Sequence, residues 1–209
     1  MEEANGLVFA SDEQRALVDR MQADLPNFPP RLIYHWLLPF ADVDKLPWPP
    51  DLTRQDCGHD RWKGILRRPL CEWRQVRWSF EMLDANQLPF ADSSLNGFHE
   101  LVAGHAYGIK TRMVIFLGES SPRRFWQQVY DIAATCSYLE PPAVIWAGDK
   151  LVCLDGNHRL SALSLMLSDP NVRRAHERKW GASCPLDEKH AFWVGKVAVD
   201  EKWTLELLR

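Results

Sequence analysis

No run in the 209 residues approaches 18 consecutive apolar positions, so no transmembrane helix is expected. The first residues, Met1-Glu2-Glu3, are acidic and carry no apolar h-region, so no secretory leader is expected either. A basic excess is also missing: 25 Lys and Arg face 28 Asp and Glu, for a formal net charge of −3. That balance excludes a broadly basic, histone-like nucleic-acid binder, though not a local basic groove. No cysteine pair has CxxC spacing, and the five cysteines (Cys57, Cys71, Cys136, Cys153, Cys184) are odd in number. Neither a disulfide framework nor a zinc ribbon is therefore expected. Cys57-Gly58-His59 offers two metal-ligand types but no second close pair. Buried, reduced cysteines in a cytoplasmic protein are the simpler reading. No internal repeat or low-complexity tract is visible.

What is present is the composition of a globular protein, 46% hydrophobic and 25% charged. A chain of this length can bury roughly 70% of its unfolded surface and needs no disulfide to fold. Its ten tryptophans are many. Trp62, Trp73 and Trp78 are not interleaved with a basic run, so core filling is expected of them rather than base stacking.

Residues 12–25 read as a helix, with Ser11 or Asp12 as cap and Ala16, Leu17, Met21 and Leu25 at helical spacing. Seven of the 14 prolines then lie between Pro26 and Pro50. This predicts an irregular stretch with one short helix around Leu32–Leu38. Its aromatics predict an extended arm packed on the main body. Residues 51–70 are polar and basic (Arg54, Arg61, Lys63, Arg67, Arg68) and read as a solvated surface. The chain thus divides into an N-terminal helix and Pro/aromatic-rich arm, residues 1–70, and a catalytic body, residues 71–209. In the body, strands are expected at Trp73–Phe80, Thr111–Leu117, Ala143–Trp146, Lys150–Leu154 and Phe192–Val199. Helices are expected from Ser121-Pro122 and over Asn157–Ser168, with a helical turn at Asp84–Leu88 and a polar, loop-like stretch over 169–190. The fold class is α+β.

One segment carries chemistry: Leu154-Asp155-Gly156-Asn157-His158-Arg159-Leu160-Ser161-Ala162, between an apolar strand and an apolar helix. Gly156 permits a sharp turn and close approach of a ligand. The first N–H groups of the helix have no intrahelical partners, and the helix dipole adds positive potential there. His158 and Arg159 add side-chain donors, and Arg159 can hold two phosphate oxygens. Asp155, at the strand end, can hold a metal ion, orient His158 or activate water. The competing reading is a capped helix with Arg159 paired to Asp155. A cap accounts for one residue, not for Gly, Asn, His and Arg in succession.

The stretch Pro141-Pro142-Ala143-Val144-Ile145-Trp146, followed by Leu151–Leu163, resembles the core of the ParB/sulfiredoxin superfamily. There, a P-x-x-V strand is followed by a second strand running into a Gly-x-x-Arg-x-x-Ala box that opens a buried helix. Here the box is Gly156-Asn157-His158-Arg159-Leu160-Ser161-Ala162. The resemblance covers residues 71–200 in order of elements and 141–163 in motif. It implies a mixed sheet with helices packed on it, and a box that binds nucleotide phosphates. Members bind and hydrolyse CTP, use ATP to repair a cysteine sulfinate, phosphorylate free serine, or act as ATPases and nucleases. The last group includes fertility-inhibition proteins of conjugative plasmids. Asn157 stands where sulfiredoxins carry their cysteine, so reductase chemistry is not expected. No helix-turn-helix region follows the box, so chromosome partition is not expected either.

By the same resemblance, Gly156, Asn157, His158 and Arg159 bind nucleotide, and the helix near Pro122 forms a second phosphate wall with Arg123, Arg124 and Gln127. Glu81, after the first strand, would join Asp155 in holding Mg²⁺ or activating water. His105, Lys110 and Arg112 lie in a glycine-flanked polar segment that could reach the same pocket. The expectation is a phosphohydrolase using ATP or CTP with Mg²⁺, an ATPase or Mg-dependent DNase. Its partners would be nucleotide, DNA and a protein of a DNA-transfer machine. Two alternatives stand beside it: a nucleotide-switched binding module without catalysis, and a small-molecule kinase.

Overall fold

The computed structural model describes residues 7–106, 120–180 and 186–197. The first helix, α1 (Asp12–Asp24), begins where Ser11 accepts a hydrogen bond from the Gln14 amide. The proline-rich stretch that follows carries a longer helical run than the expected Leu32–Leu38 and is irregular from Val43 to Asp56. A short helix α2 (Pro30–Leu32), a π-helical turn (Ile33–Leu37) and α3 (Leu38–Asp42) run on from one another. Pro29 and Pro30 occupy the cap and first-turn positions, where a missing N–H costs nothing. Pro39 cannot return an N–H to the preceding turn, and that turn widens to a π-helix. The polar stretch beyond forms α4 (Cys57–Leu66), capped by Asp56, which buries Trp62 and Leu66 completely. Its basic residues are exposed or half-buried, but its apolar face belongs to the core.

Next come α5 (Leu70–Trp73), β1 (Val76–Leu83), a 3-10 turn (Ala85–Gln87) and α6 (Asp92–Ala106). The chain resumes with α7 (Ser120–Thr135), β2 (Ala143–Ala147), β3 (Lys150–Asp155), α8 (Asn157–Ser168), α9 (Pro170–Trp180) and β4 (His190–Val197). Among the described residues these strands form one four-stranded mixed sheet in the order β1-β4-β2-β3. β1 pairs antiparallel with β4, β4 parallel with β2, and β2 antiparallel with β3. The β2–β3 hairpin closes from Ala147 to Lys150, with Gly148 at φ +69°. Phe90 bridges the outer edge of β3. The expected strand at Thr111–Leu117 lies outside the described residues.

Both faces of the sheet are covered, which is why β2 and β3 read as apolar runs. On one face, Ala143, Ile145, Ala147 and Val152 pack with Trp36, Trp62, Trp73 and the residues of α1–α4. On the other, Val144, Leu151, Cys153, Phe192 and Val194 pack with α6, α7 and α8. The first seventy residues are thus a covering layer; of the three tryptophans expected in the core, Trp62 and Trp73 are fully buried and Trp78 packs half-buried against the same cluster. No helix among the described residues is long and apolar enough to cross a membrane. The expectation of wholly reduced cysteines is corrected at Cys136, which is disulfide-bonded; Cys71 and Cys153 are free.

Candidate functional site

The turn from β3 into α8 is fixed by sterics. Gly156 has φ +103°, and a Cβ there would lie 2.6 Å from Pro142 Cβ and 3.2 Å from Arg159 Nε. A side chain is therefore excluded twice, by conformation and by space. As the N-cap residue, Gly156 offers no side-chain acceptor to the first turn, and the first helical bond runs from Leu160 N–H to its carbonyl at 2.9 Å. The amide end of α8 is left to meet a ligand or water.

That end opens on a cleft of about 1210 Å³. Three helices line it: α6 along a face through Ser93, Gly97 and Leu101, α7 along a face through Arg123, Arg124, Gln127 and Asp131, and α8 with its first residues, Asn157, His158 and Arg159. Of the three, α8 meets the cleft with its N-terminus, and a helix start carries roughly half a positive charge. α4 contributes Lys63 and Arg67 from the opposite covering layer. The side-chain charges in the wall are five cations (Lys63, Arg67, Arg123, Arg124, Arg159) and three carboxylates (Asp131, Glu140, Asp155), in a chain whose net charge is −3. The excess is therefore local. Arg123 and Arg124 are exposed and have no carboxylate partner among the described residues.

Arg159 is held by two partners. One of its amino groups forms an ion pair with Asp155 and the other donates to the Glu140 carbonyl at 2.9 Å; its side chain is only 14% exposed. It lines the cleft, but its guanidinium ties α8 to the end of β3 and to the loop before β2. Two of its donors are thus committed within the fold, and the pair with Asp155 is the one the capped-helix reading expected. The same pair engages one oxygen of Asp155 and leaves Oδ1 without a protein partner among the described residues, at the wall of the cleft. A magnesium ion fits here only with phosphate and water oxygens completing its shell, as that ion commonly does. Consistent with this, no group of three or more His, Cys, Asp or Glu side chains among the described residues could hold a metal.

Of the expected residues, Asp155, Gly156, Asn157, His158, Arg159, Arg123, Arg124 and Gln127 come together on this cleft. Gln127 is held there by a 2.9 Å hydrogen bond from its amide to Asp131. Glu81 does not join them. It sits on β1, at the opposite edge of the sheet from Asp155, and three strand spacings amount to about 14 Å. There it accepts hydrogen bonds from Lys196 and Ser79, at 2.8 and 2.6 Å, which hold its carboxyl below the usual range. Glu81 and Asp155 cannot share one ion. The His105 side chain, Lys110 and Arg112 lie outside the described residues.

Lys63 of α4 and Arg67, its C-cap residue, were read only as part of a solvated basic surface. His35 and Glu140, paired at 3.0 Å on the rim, carried no sequence signal, since 105 residues separate them. Cys153 lies on the cleft floor, where burial, and then the Asp155 carboxylate, push its thiol far up. It is an inert, protonated wall residue. No family model, no curated protein and no solved structure matches this chain.

Proposed function

We propose that the cleft binds the phosphate chain of a nucleoside triphosphate, ATP or CTP, together with Mg²⁺, and that the protein is a phosphohydrolase. The observation that carries this reading is the N-terminus of α8, opened by Gly156, on one cleft with Arg123 and Arg124, which have no carboxylate partner among the described residues. The amides at the start of α8 receive phosphate oxygens, and Arg123 and Arg124 close on them from α7. Asp155, fixed in rotamer by Arg159, presents its remaining oxygen to the attacking water or the ion. Water adds to the terminal phosphorus as the anhydride P–O bond breaks. The fixed donors of the cleft are in place to stabilise charge on the transferring group. When bound, Mg²⁺ would neutralise phosphate charge.

The commitment of Arg159 to Asp155 and Glu140 favours one second reading: a nucleotide-switched module that binds without cleavage. Calorimetric titration with ATP and CTP, with and without Mg²⁺, followed by a phosphate-release assay, separates the two. Arg123 and Arg124 are exposed on α7, so the R123E/R124E protein is expected to keep its fold. Its affinity is expected to fall at least ~10-fold, the scale of one lost charge-assisted hydrogen bond. Undiminished affinity would show that the cleft is not the site. Asp155→Asn is expected to reduce release while nucleotide still binds; binding by the natural protein with no release at all selects the switch.

A further inference from the structure

The N-terminal layer stops short of the end of β1 and leaves an aromatic recess uncovered. Phe80 on β1 is 53% exposed and pairs in register with Trp193 on β4, the two rings 5.2 Å apart edge to face. With Tyr138 and Arg31 they line a pocket of about 260 Å³. Tyr138 is fixed by a 2.8 Å hydrogen bond to the Ala191 carbonyl. This pocket and the cationic cleft share His35, Leu139 and Glu140, so a single loop and one ion pair form the partition between them. The Glu140 carbonyl touches Arg159 on the cleft side, while its carboxylate holds His35 at 3.0 Å on the rim.

We infer that this recess is the base subsite of the same ligand: a nucleobase stacks against Phe80 and Trp193 while the phosphate chain crosses the His35–Glu140 rim into the cleft. The inference rests on the nucleotide reading of the cleft. Its volume is below that of pockets for drug-sized molecules, and it suits one planar ring. Aromatic faces accept any base, and the nearby cations supply the charge complementarity that a bare apolar patch lacks. The ring pair is therefore expected to favour base-bearing phosphates over base-free ones without choosing strongly between ATP and CTP.

The test is a titration of Mg-ATP, Mg-CTP and Mg-tripolyphosphate at constant ionic strength, into the natural protein, Phe80→Ala and Phe80→Trp. Both nucleotides are expected to bind roughly 10-fold tighter than tripolyphosphate, the scale of one base–aromatic stack. Phe80→Ala should erase that gap and leave tripolyphosphate affinity unchanged, and Phe80→Trp should retain it. Because Phe80 is exposed on an edge strand, neither change threatens the fold. Equal affinity for all three ligands overturns the base subsite while the phosphate cleft survives. Failure of all three to bind overturns both. A gap unchanged in Phe80→Ala, with loss of a dimer in sedimentation, would instead make the recess a self-association face and also overturn the inference.

Discussion

Gly156 concentrates two constraints on one backbone position. Gly156→Ala must accept a positive φ and a methyl group 2.6 Å from Pro142 Cβ. A strained backbone of this kind costs about 1–3 kcal/mol, which for a chain of this size lowers Tm by roughly 2–12 °C. The accompanying shift of the α8 start should weaken nucleotide binding as well; calorimetry and a thermal melt read the two effects separately. His190 is the other residue with a measurable signature. It is buried, its Nδ1 lies 2.7 Å from Ser137 Oγ, and burial lowers its pKa below 6.5, against smaller opposing effects of Asp187 and Asp84. The unfolded chain therefore binds this proton more readily than the folded one. The stabilisation from His190 is complete above about pH 6.5 and falls as pH drops through the folded value. The loss of Tm between pH 7 and pH 5 should be smaller in His190→Gln than in the natural protein. An identical pH slope in both would remove His190 from that role.

At the scale of elements, α1 and most of the body were readable, while the extent of helix in the rest of the N-terminal layer was not. The helix over Asn157–Ser168 was legible because six of its twelve residues are buried around most of its circumference, and the β2–β3 hairpin because Gly148 breaks two apolar runs. Prolines misled at 26–50, since position decides their effect: at a helix start or before a π turn they are tolerated. β1 lies three residues later than expected because Pro69 starts a short helix that claims Trp73. α6 went unread, its first half being rich in Ser, Asn and Gly, and only Phe98 and Leu101 reveal its buried face. The covering layer makes its own prediction. Trp36 is 2% exposed and contacts Phe28, Trp73 and Trp78. Its replacement by Ala should cost about 3–5 kcal/mol, and chemical denaturation should show a single transition at lower denaturant. Two separate transitions would mean that the layer and the sheet fold independently.

At the scale of the molecule, the sheet joins two hydrophobic halves, and the cleft lies where α4 of one half faces α6, α7 and α8 of the other. The box residues were legible as a group because they are contiguous. The Arg159–Asp155 pair was legible from its i,i+4 spacing, but the second partner, the Glu140 carbonyl, was not, because it depends on how the 139–142 loop returns to the box. Glu81 was misplaced for a related reason: sequence order puts it beside the first strand, but strand order puts that strand at the far edge. The charge pattern follows the same logic, since a net negative chain gathers five cations on one cleft only through tertiary folding.

The most direct measurement is amide hydrogen exchange with and without saturating Mg-ATP. The account predicts slowed exchange at Asn157–Arg159 and around Arg123 and Arg124 of α7, with α1 (Asp12–Asp24) unchanged. Nucleotide binding that leaves the start of α8 exchanging at its ligand-free rate would contradict it.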